Sequence, residues 1–372
     1  MYKIFVDAHV FDGEYQGTLT YIKELYTNIL EVNNKVTIYF GANKIENVKK
    51  NFDKYPNAQF VQYTSKGRLN RIFIEIPRII NDLNCTHAHF QYIIPFKKHR
   101  NCKYIVTIHD ILFNDFPKEF SKLYRLQRNG LFYLSAKRSD YLLTVSNYSK
   151  RKISEQYNIK ESDIIVTLNA VSEEFYQFNS TKIESRTYIF KKFNVKKFIL
   201  YVSRIEPRKN QILLLNAFVK EKLWERGFTL VLIGSNSLQS GLFEELESLE
   251  NKIRKSIVWI EQVSDIELKH FLNAAECFVY PTKAEGFGIP PLEAGVLLTP
   301  VLCSNATAMD DFEFFKPHFF DPDDTIEFNK LFLNFIENND MIDLKAIRKT
   351  ISNRYRWEES AKIMLEKIIY ES

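Results

Sequence analysis

A chain of 372 residues, 45% hydrophobic and 26% charged, has the composition of a soluble globular protein and is longer than one hydrophobic core usually serves, so two domains are expected. The cysteines Cys85, Cys102, Cys277 and Cys303 show no CxxC or metal-type spacing, which excludes a disulfide scaffold or zinc module and reads as reduced, partly buried thiols. The net charge of +5 lies wholly in the first half: residues 1–180 carry 25 Lys+Arg against 18 Asp+Glu, and residues 181–372 carry 26 against 28. The basic excess gathers at Lys97-Lys98-His99-Arg100, Arg125 with Arg128, Lys137-Arg138 and Lys150-Arg151-Lys152. Such runs are usually solvated faces; attraction to an anionic acceptor or an anionic membrane leaflet is the other reading. No recognised nucleic-acid-binding motif accompanies the charge, so no nucleic-acid partner is expected. Tyr2–Asp7 already reads as a strand, which argues against a signal peptide. The longest near-apolar stretch, Gly286–Cys303, contains Glu293 and three prolines and is no membrane span.

In chain order, Lys3–Val6 reads as a strand, followed by a turn-rich loop and a helix with Leu19, Ile22, Leu25, Tyr26, Ile29 and Leu30 at helical spacing. Strands are expected at Val36–Phe40 and Phe60–Tyr63, then a helix over Arg68–Leu83 that Pro77 should kink or split. His87–Phe90 and Tyr104–His109 read as strands, Ser121–Arg138 as a long helix, Tyr141–Val145 as a strand, Ser149–Tyr157 as a helix and Ile164–Leu168 as a strand. Near Phe178–Ser185 the pattern lapses into polar residues, the best candidate for a linker. A second series then begins: strand Phe198–Val202, helix Asn210–Lys222, strand Thr229–Ile233, helix Ser240–Lys255 and strand Ile257–Ile260. The pair Ser264 and Glu267 has capping-box spacing and opens a helix to about Ala275. Strand Cys277–Tyr280, a helix from Pro290 or Pro291 to about Leu297, and strand Pro300–Cys303 follow. Alternating strands and helices point to two consecutive doubly wound α/β domains, each a parallel sheet covered on both faces. Neither opens with G-x-G-x-x-G, which counts against a nicotinamide dehydrogenase.

Ligands of open parallel sheets sit outside the carboxyl ends of the strands. There, after Phe198–Val202, lies Ser203-Arg204-Ile205-Glu206-Pro207-Arg208-Lys209, which puts Arg204 and Lys209 where a diphosphate would bind. After Cys277–Tyr280 comes PTKAEGFGIPPLEAG, with Glu285 in a glycine-containing loop and Glu293 in the helix behind it. The amides of Gly286, Phe287, Gly288 and Ile289 lie just ahead of a helix N-terminus, a ready anion site. An anion flanked by carboxylates implies a ligand with phosphates and hydroxyls, such as a nucleotide sugar. Thr107-Ile108-His109-Asp110 ends a strand of the first domain; Asp110 either orients the imidazole of His109 or caps the next segment.

Arg204 and Lys209, followed by Glu285 and Glu293 in EGFGIPPLE, resemble the retaining family-4 glycosyltransferases (glycosyl transferases group 1) over essentially the whole chain. The resemblance implies a GT-B fold: two Rossmann-like domains facing across a cleft, an acceptor domain at 1–178, a nucleotide-sugar domain at 179–353, and a C-terminal helix at 354–372 that returns to the first domain. Arg204 and Lys209 would hold the donor diphosphate, Glu285 would meet hydroxyls of the transferred sugar, and the Phe287–Ile289 backbone would touch sugar and phosphate. Glu293 would accept from the ribose diol, and Gly234 and Val263 would line the base pocket. His109 would face the donor sugar and stabilise it. Gly17 and Thr18 match the family's flexible loop near the diphosphate. Tyr15-Gln16 replace the frequent double glycine there, Ser203 replaces a common glycine, and Leu298 stands where a glycine often precedes Thr-Pro-Val.

The implied activity is transfer of a hexose-type sugar from a nucleotide-diphosphate donor to a hydroxyl of a glycan or lipid-linked acceptor, with retention, in bacterial surface polysaccharide or glycoconjugate assembly. No cofactor and no metal are expected, since the nucleotide sugar is a substrate and the cations take the role of Mg²⁺. The alternatives are a non-catalytic sugar-nucleotide-binding partner subunit and a GT-B epimerase. A cytoplasmic location is expected, with peripheral association at the inner face of the membrane through the basic domain as a further option.

Overall fold

In the computed structural model, residues 2–13, 17–32, 35–65, 67–117, 120–238, 240–338 and 342–370 are described. The chain divides into two compact units, Met1–Asn169 with Arg356–Ser372, and Ala170–Tyr355. The first boundary thus falls nine residues before the expected 178, because Glu173–Tyr176 is already a helical turn of the second unit: Glu174 pairs with Lys269 at 2.8 Å and the Tyr176 carbonyl accepts from Arg348. The last boundary follows Tyr355 rather than residue 353.

The first unit holds seven parallel strands: β1 (Tyr2–Asp7), β2 (Val36–Ala42), β3 (Ala58–Gln62), β4 (His87–Gln91), β5 (Lys103–Thr107), β6 (Tyr141–Thr144) and β7 (Ile164–Val166), in the order β3-β2-β1-β4-β5-β6-β7. The order reverses between β1 and β4, the switch point where such sheets bind ligands. β4 and β5 are buried almost throughout, as strands covered on both faces must be. One face packs Phe5, Phe90, Tyr104 and Val106 against Ile76, Ile80 and Phe132. The expected helix 68–83 exists, but its middle, Arg71–Glu75, is a π-turn ahead of Pro77 in the helix Ile76–Asp82. A proline lacking its N–H is accommodated by such a local change of winding. Gly17 and Thr18, expected in a loop, instead open the helix Gly17–Val32; Tyr15 and Gln16 lie outside the described residues. The helix Trp357–Ile363 and its continuation Met364–Tyr370 belong to this unit, with the Ser360 hydroxyl donating to the Leu168 carbonyl at 2.8 Å and Trp357 edge-on to Tyr21.

The second unit has β8 (Phe198–Val202), β9 (Thr229–Ile233), β10 (Ile257–Ile260), β11 (Cys277–Tyr280), β12 (Val301–Ser304) and β13 (Phe319–Phe320), all parallel, in the order β10-β9-β8-β11-β12-β13. Its switch point lies between β8 and β11. Two elements depart from expectation. The polar stretch near Phe178–Ser185 is partly helical, since Thr181 and Glu184 form a capping box that opens the helix Lys182–Phe193. The helix expected over Ser240–Lys255 is two pieces, Leu242–Ser248 and Asn251–Arg254, broken where Leu249 and Glu250 are extended. The helices Thr325–Asn338 and Leu344–Arg354 and the two-residue β13 complete the unit. The capping box at Ser264 and Glu267 forms as its spacing predicts.

Candidate active site

The residues after β8 and β11 meet at the switch point of the second unit. β8 ends at Val202, and Pro207–Lys209 makes a short 3-10 turn that the left-handed Asn210 ends. That turn carries Arg208 and Lys209 back to the strand end. Lys209, 5% exposed, forms an ion pair with the Glu285 carboxylate and donates to the Tyr280 hydroxyl at 3.4 Å. Tyr280 in turn donates to Glu285 Oε1 at 2.6 Å. Arg208 bridges the two acids, 2.9 Å from Glu206 Oε2 and 3.6 Å from Glu285 Oε2, and donates to the Ala284 carbonyl at 2.8 Å. Arg204 lies 3.2 Å from Glu206 Oε1, with 45% of its side chain exposed. Three cations against two carboxylates leave a net positive charge on this group.

Glu285 is 9% exposed. Burial pushes its pKa up, but the charges of Lys209 and Arg208 and the Lys209 and Tyr280 hydrogen bonds outweigh that and hold it at about 2, against an ordinary 4.5. Burial draws the Lys209 ammonium down to about 8, with Glu285 opposing, so the pair is ionised at neutral pH. Thr307 fixes the Glu285 backbone, its hydroxyl accepting from the Glu285 amide at 2.9 Å. Thr307 itself has φ +58°, a left-handed conformation unusual for a β-branched residue.

Gly286, Phe287, Gly288 and Ile289 lead into the helix Ile289–Val296, with Gly288 as its N-cap at φ +98°. The Phe287 side chain turns into the core, edge-on to Phe312 and Tyr355. Pro290 and Pro291 carry no N–H, so the first-turn donors of this helix are Ile289 and Leu292. Glu293 stands in the second turn, half-buried. Gly234 and Val263 follow the adjacent strands β9 and β10, with Gly234 donating to the Ile260 carbonyl at 2.9 Å and Val263 half-buried. A Cβ on Gly234 would lie 2.0 Å from the Ser203 carbonyl oxygen, so glycine is required there and not at Ser203. Leu298 has φ +58°, which accounts for the glycine usual in its place.

In the first unit, His109 follows β5 and is 6% exposed. Its Nε2–H donates to Gln91 Oε1 at 2.6 Å, and its ring lies against Tyr21 (5.0 Å, edge-on) and Tyr92 (5.4 Å). Asp110 accepts from the Leu112 amide at 3.2 Å, the capping role. Behind His109 runs a buried polar network: Gln91 reaches His89 at 3.3 Å, and His89 bonds Tyr26 and Thr107, each at 2.8 Å. Burial holds both His109 and His89 at about 3, so both imidazoles are neutral. Tyr92, between Gln91 and this cluster, has φ +65°.

Lys209, Glu285 and Arg204 are therefore joined in one charged cluster, with Gly286–Ile289 beside it in sequence, and His109 lies in the other unit. Sequence reasoning gave no role to Arg208 and Glu206, although both stand between Ser203 and Lys209 in the stretch that supplied Arg204 and Lys209. It also missed Gln91, for which no local signal exists. Among the described residues, no group of three or more His, Cys, Asp or Glu could hold a metal ion, and no helix is long and apolar enough to cross a membrane. All four cysteines are buried and free.

Two family models match the chain, Glycosyltransferase Family 4 over residues 15–175 and Glycosyl transferases group 1 over residues 185–354. The O-antigen chain mannosyltransferase RfbU of Salmonella typhimurium is 30% identical over 226 residues, 60% of this chain and 56% of that protein, so the chain spans just over half of that relative's length. The O-antigen chain mannosyltransferase B of Escherichia coli is 26% identical over 265 residues, 70% of this chain and 68% of that protein. Among solved structures, sucrose-phosphate synthase of Thermosynechococcus elongatus superposes with a TM-score of 0.78 at 14% identity, covering all of both chains, a likeness of fold. With its two parallel-sheet α/β domains matched by these two models in succession, the chain belongs to the glycosyl transferases group 1 of GT-B fold.

Proposed function

We propose that this protein transfers a hexose, mannose being the best candidate, from a nucleotide-diphosphate sugar to a hydroxyl of a glycan or lipid-linked acceptor during surface-polysaccharide assembly, with retention of anomeric configuration. The observation that carries the reading is the net-positive cluster of Arg204, Arg208 and Lys209 with Glu206 and Glu285 at the switch point between β8 and β11. Mannose is favoured because both O-antigen relatives are named as mannosyltransferases.

The chemistry follows from charge. As the bond from sugar to diphosphate breaks, negative charge grows on the leaving phosphate. Pre-positioned cations then stabilise the transition state more than the ground state. Arg204, the most exposed of the three, presents its guanidinium to the diphosphate, and Lys209 and Arg208 raise the local potential behind it. Loop amides at Phe287–Ile289 supply directional donors, and Glu293 takes the ribose diol. This arrangement neutralises the diphosphate without calling on a metal, and activity is expected to withstand EDTA.

Retention needs either an enzyme nucleophile or same-face attack assisted by the leaving phosphate. A Glu285 carboxylate held near pKa 2 by two cations and a tyrosine hydroxyl is a poor nucleophile and a poor base. Its role is to orient sugar hydroxyls, for which Oε2, farther from its cation, retains acceptor capacity. Same-face attack follows, with the departing phosphate accepting the acceptor's proton. His109, for which the family resemblance implies a sugar-stabilising role, is neutral and donates through Nε2 to Gln91, so what it offers is polarity rather than charge. The test is Arg204→Ala: kcat/KM should fall by about 100-fold or more, the scale of one lost transition-state donor. Near-normal kcat/KM in that variant would defeat the assignment.

A further inference from the structure

The segment that follows β12 runs alongside the loop that carries Glu285 and touches it at successive points. The Ser304 hydroxyl, at the end of β12, donates to the Thr282 carbonyl at 2.6 Å. The Thr307 hydroxyl accepts from the Glu285 amide at 2.9 Å, and its Oγ1 lies 3.2 Å from the Glu285 carbonyl oxygen. The Met309 side chain fills the space that a side chain on Gly288 would need, since a Cβ there would lie 2.1 Å from Met309 Cε. Phe312 stands edge-on to Phe287 at 5.7 Å. Ser304, Met309 and Phe312 are fully buried, so this brace is part of the packed core of the second unit.

One residue of the brace is held against its own preference. Of the eight described non-glycine residues with a left-handed φ, four are asparagines and Thr307, at +58°, is the one β-branched residue. The left-handed region crowds a branched Cβ against the backbone, and such a conformation persists only where its surroundings over-determine it. Here Thr307 opens the 3-10 turn Thr307–Asp311, and its Oγ1 lies 2.7 Å from the Ala306 carbonyl oxygen. A hydroxyl has one proton, and the shorter contact takes it. The Thr307 hydroxyl therefore donates to Ala306 and keeps its lone pairs for the Glu285 amide. The unfavourable φ places an acceptor where the Glu285 main chain needs one.

Glu285 is pulled from its other end. Its Oε1 is taken by Lys209 and by the Tyr280 hydroxyl, while Oε2 stands 3.6 Å from Arg208, which lies closer, at 2.9 Å, to Glu206. Attraction to these cations draws the carboxylate inward. A slack main chain would let Oε2 close on Arg208 and lose the acceptor capacity left for a ligand hydroxyl. The Thr307 anchor opposes that movement. We propose that Thr307 is a positioning residue for sugar transfer, whose left-handed backbone fixes the Glu285 main chain so that Oε2 stays clear of Arg208 and open to the donor sugar. The inference rests on the glycosyl-transfer reading and adds a residue that acts through Glu285. Its strain lowers stability while its hydroxyl raises activity, a combination that a merely structural threonine does not show.

The experiment compares Thr307→Gly, Thr307→Asn and Thr307→Ser in the full chain. Glycine and asparagine adopt the left-handed φ readily, and neither places a hydroxyl at the Glu285 amide. Rates are measured with GDP-mannose and UDP-glucose and a lipid-diphosphate glycan acceptor, alongside thermal melts and calorimetric titration of GDP and UDP. Thr307→Gly should lower kcat/KM about tenfold or more, the scale of a small misplacement at a reacting centre. Relief of strain offsets the lost hydrogen bonds, so the melting temperature of the second unit should fall by no more than about 2 °C. The nucleotide Kd should stay within about twofold. Thr307→Ser, which keeps the hydroxyl, should retain kcat/KM within about threefold. In a Glu285→Gln background, Thr307→Gly should change kcat/KM by less than about twofold, because both residues act through one carboxylate. If Thr307→Gly fails to fold, Thr307→Asn decides by the same criteria. Normal kcat/KM in the glycine variant while Glu285→Gln is impaired would overturn this inference alone. So would a parallel fall of melting temperature, nucleotide affinity and activity, or losses that multiply in the double variant. An unchanged kcat/KM in Glu285→Gln, or no turnover of either nucleotide sugar by the unaltered protein, would overturn the glycosyl-transfer reading of the site and this inference with it.

Discussion

The ion pair between Lys209 and Glu285 is the feature of the candidate site whose energetics are most open to test. Both residues are nearly inaccessible, at 5% and 9% exposure, so neither charge can be rescued by water. In Glu285→Gln the Lys209 ammonium remains buried against a neutral amide, with Arg208 still beside it. Removing one partner of such a pair costs about 3–5 kcal/mol. Lys209→Met should cost less, about 1.5–3 kcal/mol, because Glu285 keeps the Tyr280 hydroxyl at 2.6 Å and Arg208 at 3.6 Å. The double variant places a neutral amide opposite a thioether, so its loss should fall short of the sum of the two by about 2 kcal/mol. The assay is differential scanning calorimetry of the four proteins. Two units of this kind need not melt as one, so the shift is read on the transition of the second unit. At about 2–4 °C per kcal/mol for a domain of this size, Glu285→Gln should lower it by about 6–20 °C. Acid gives an independent check. Glu285 has its folded pKa depressed to about 2 from 4.5, so its contribution is fully present above pH 4.5 and is lost as pH falls toward 2. Glu285→Gln should lack that part of the pH dependence. Losses that add within about 0.5 kcal/mol would refute the coupling, and with it the claim that the cluster acts as one electrostatic unit.

Three further outcomes follow from the structure. Gly234→Ala should destabilise the second unit by more than about 2 kcal/mol and abolish donor binding, since its Cβ would lie 2.0 Å from the Ser203 carbonyl oxygen; a thermal melt with a nucleoside diphosphate titration checks both. Leu298→Gly should be tolerated within about 1 kcal/mol, because relief of the left-handed φ of +58° offsets the lost half-buried side chain; a drop above about 2 kcal/mol in urea unfolding would count against that balance. His109, held near 3, contributes stability that is present above its ordinary 6.5 and is lost as pH falls from there toward 3. His109→Gln should therefore flatten the melting profile of the first unit between pH 7 and 4, and an unchanged slope would contradict a neutral buried imidazole.

Much of the fold was readable because it depends on local signals. The apolar runs at Phe198–Val202, Thr229–Ile233 and Cys277–Tyr280 match their strands to the residue, and the box at Ser264 and Glu267 starts its helix where the spacing says. What failed were breaks and ends. Nothing in composition marks the extended Leu249–Glu250 that splits a helical pattern, and the box at Thr181 and Glu184 was concealed in a polar stretch that looked like a linker. In the site, the residue types of Arg204, Lys209, Glu285 and Glu293 announced phosphate and hydroxyl chemistry. The burial of Lys209 against Glu285 did not show, because pairing is a tertiary fact that joins residues 76 positions apart. Gln91 was invisible for the same reason: its importance lies in the His109 ring that it bonds.

The central claim is retaining transfer of a sugar by the cluster at β8 and β11, and product stereochemistry tests it most directly. The enzyme is incubated with GDP-mannose and, in parallel, other nucleotide sugars, together with a lipid-diphosphate glycan acceptor, and the new linkage is examined by NMR. The account predicts one nucleoside diphosphate released per sugar transferred and an anomeric configuration matching that of the donor. An inverted linkage, or donor epimerisation without transfer, would contradict it.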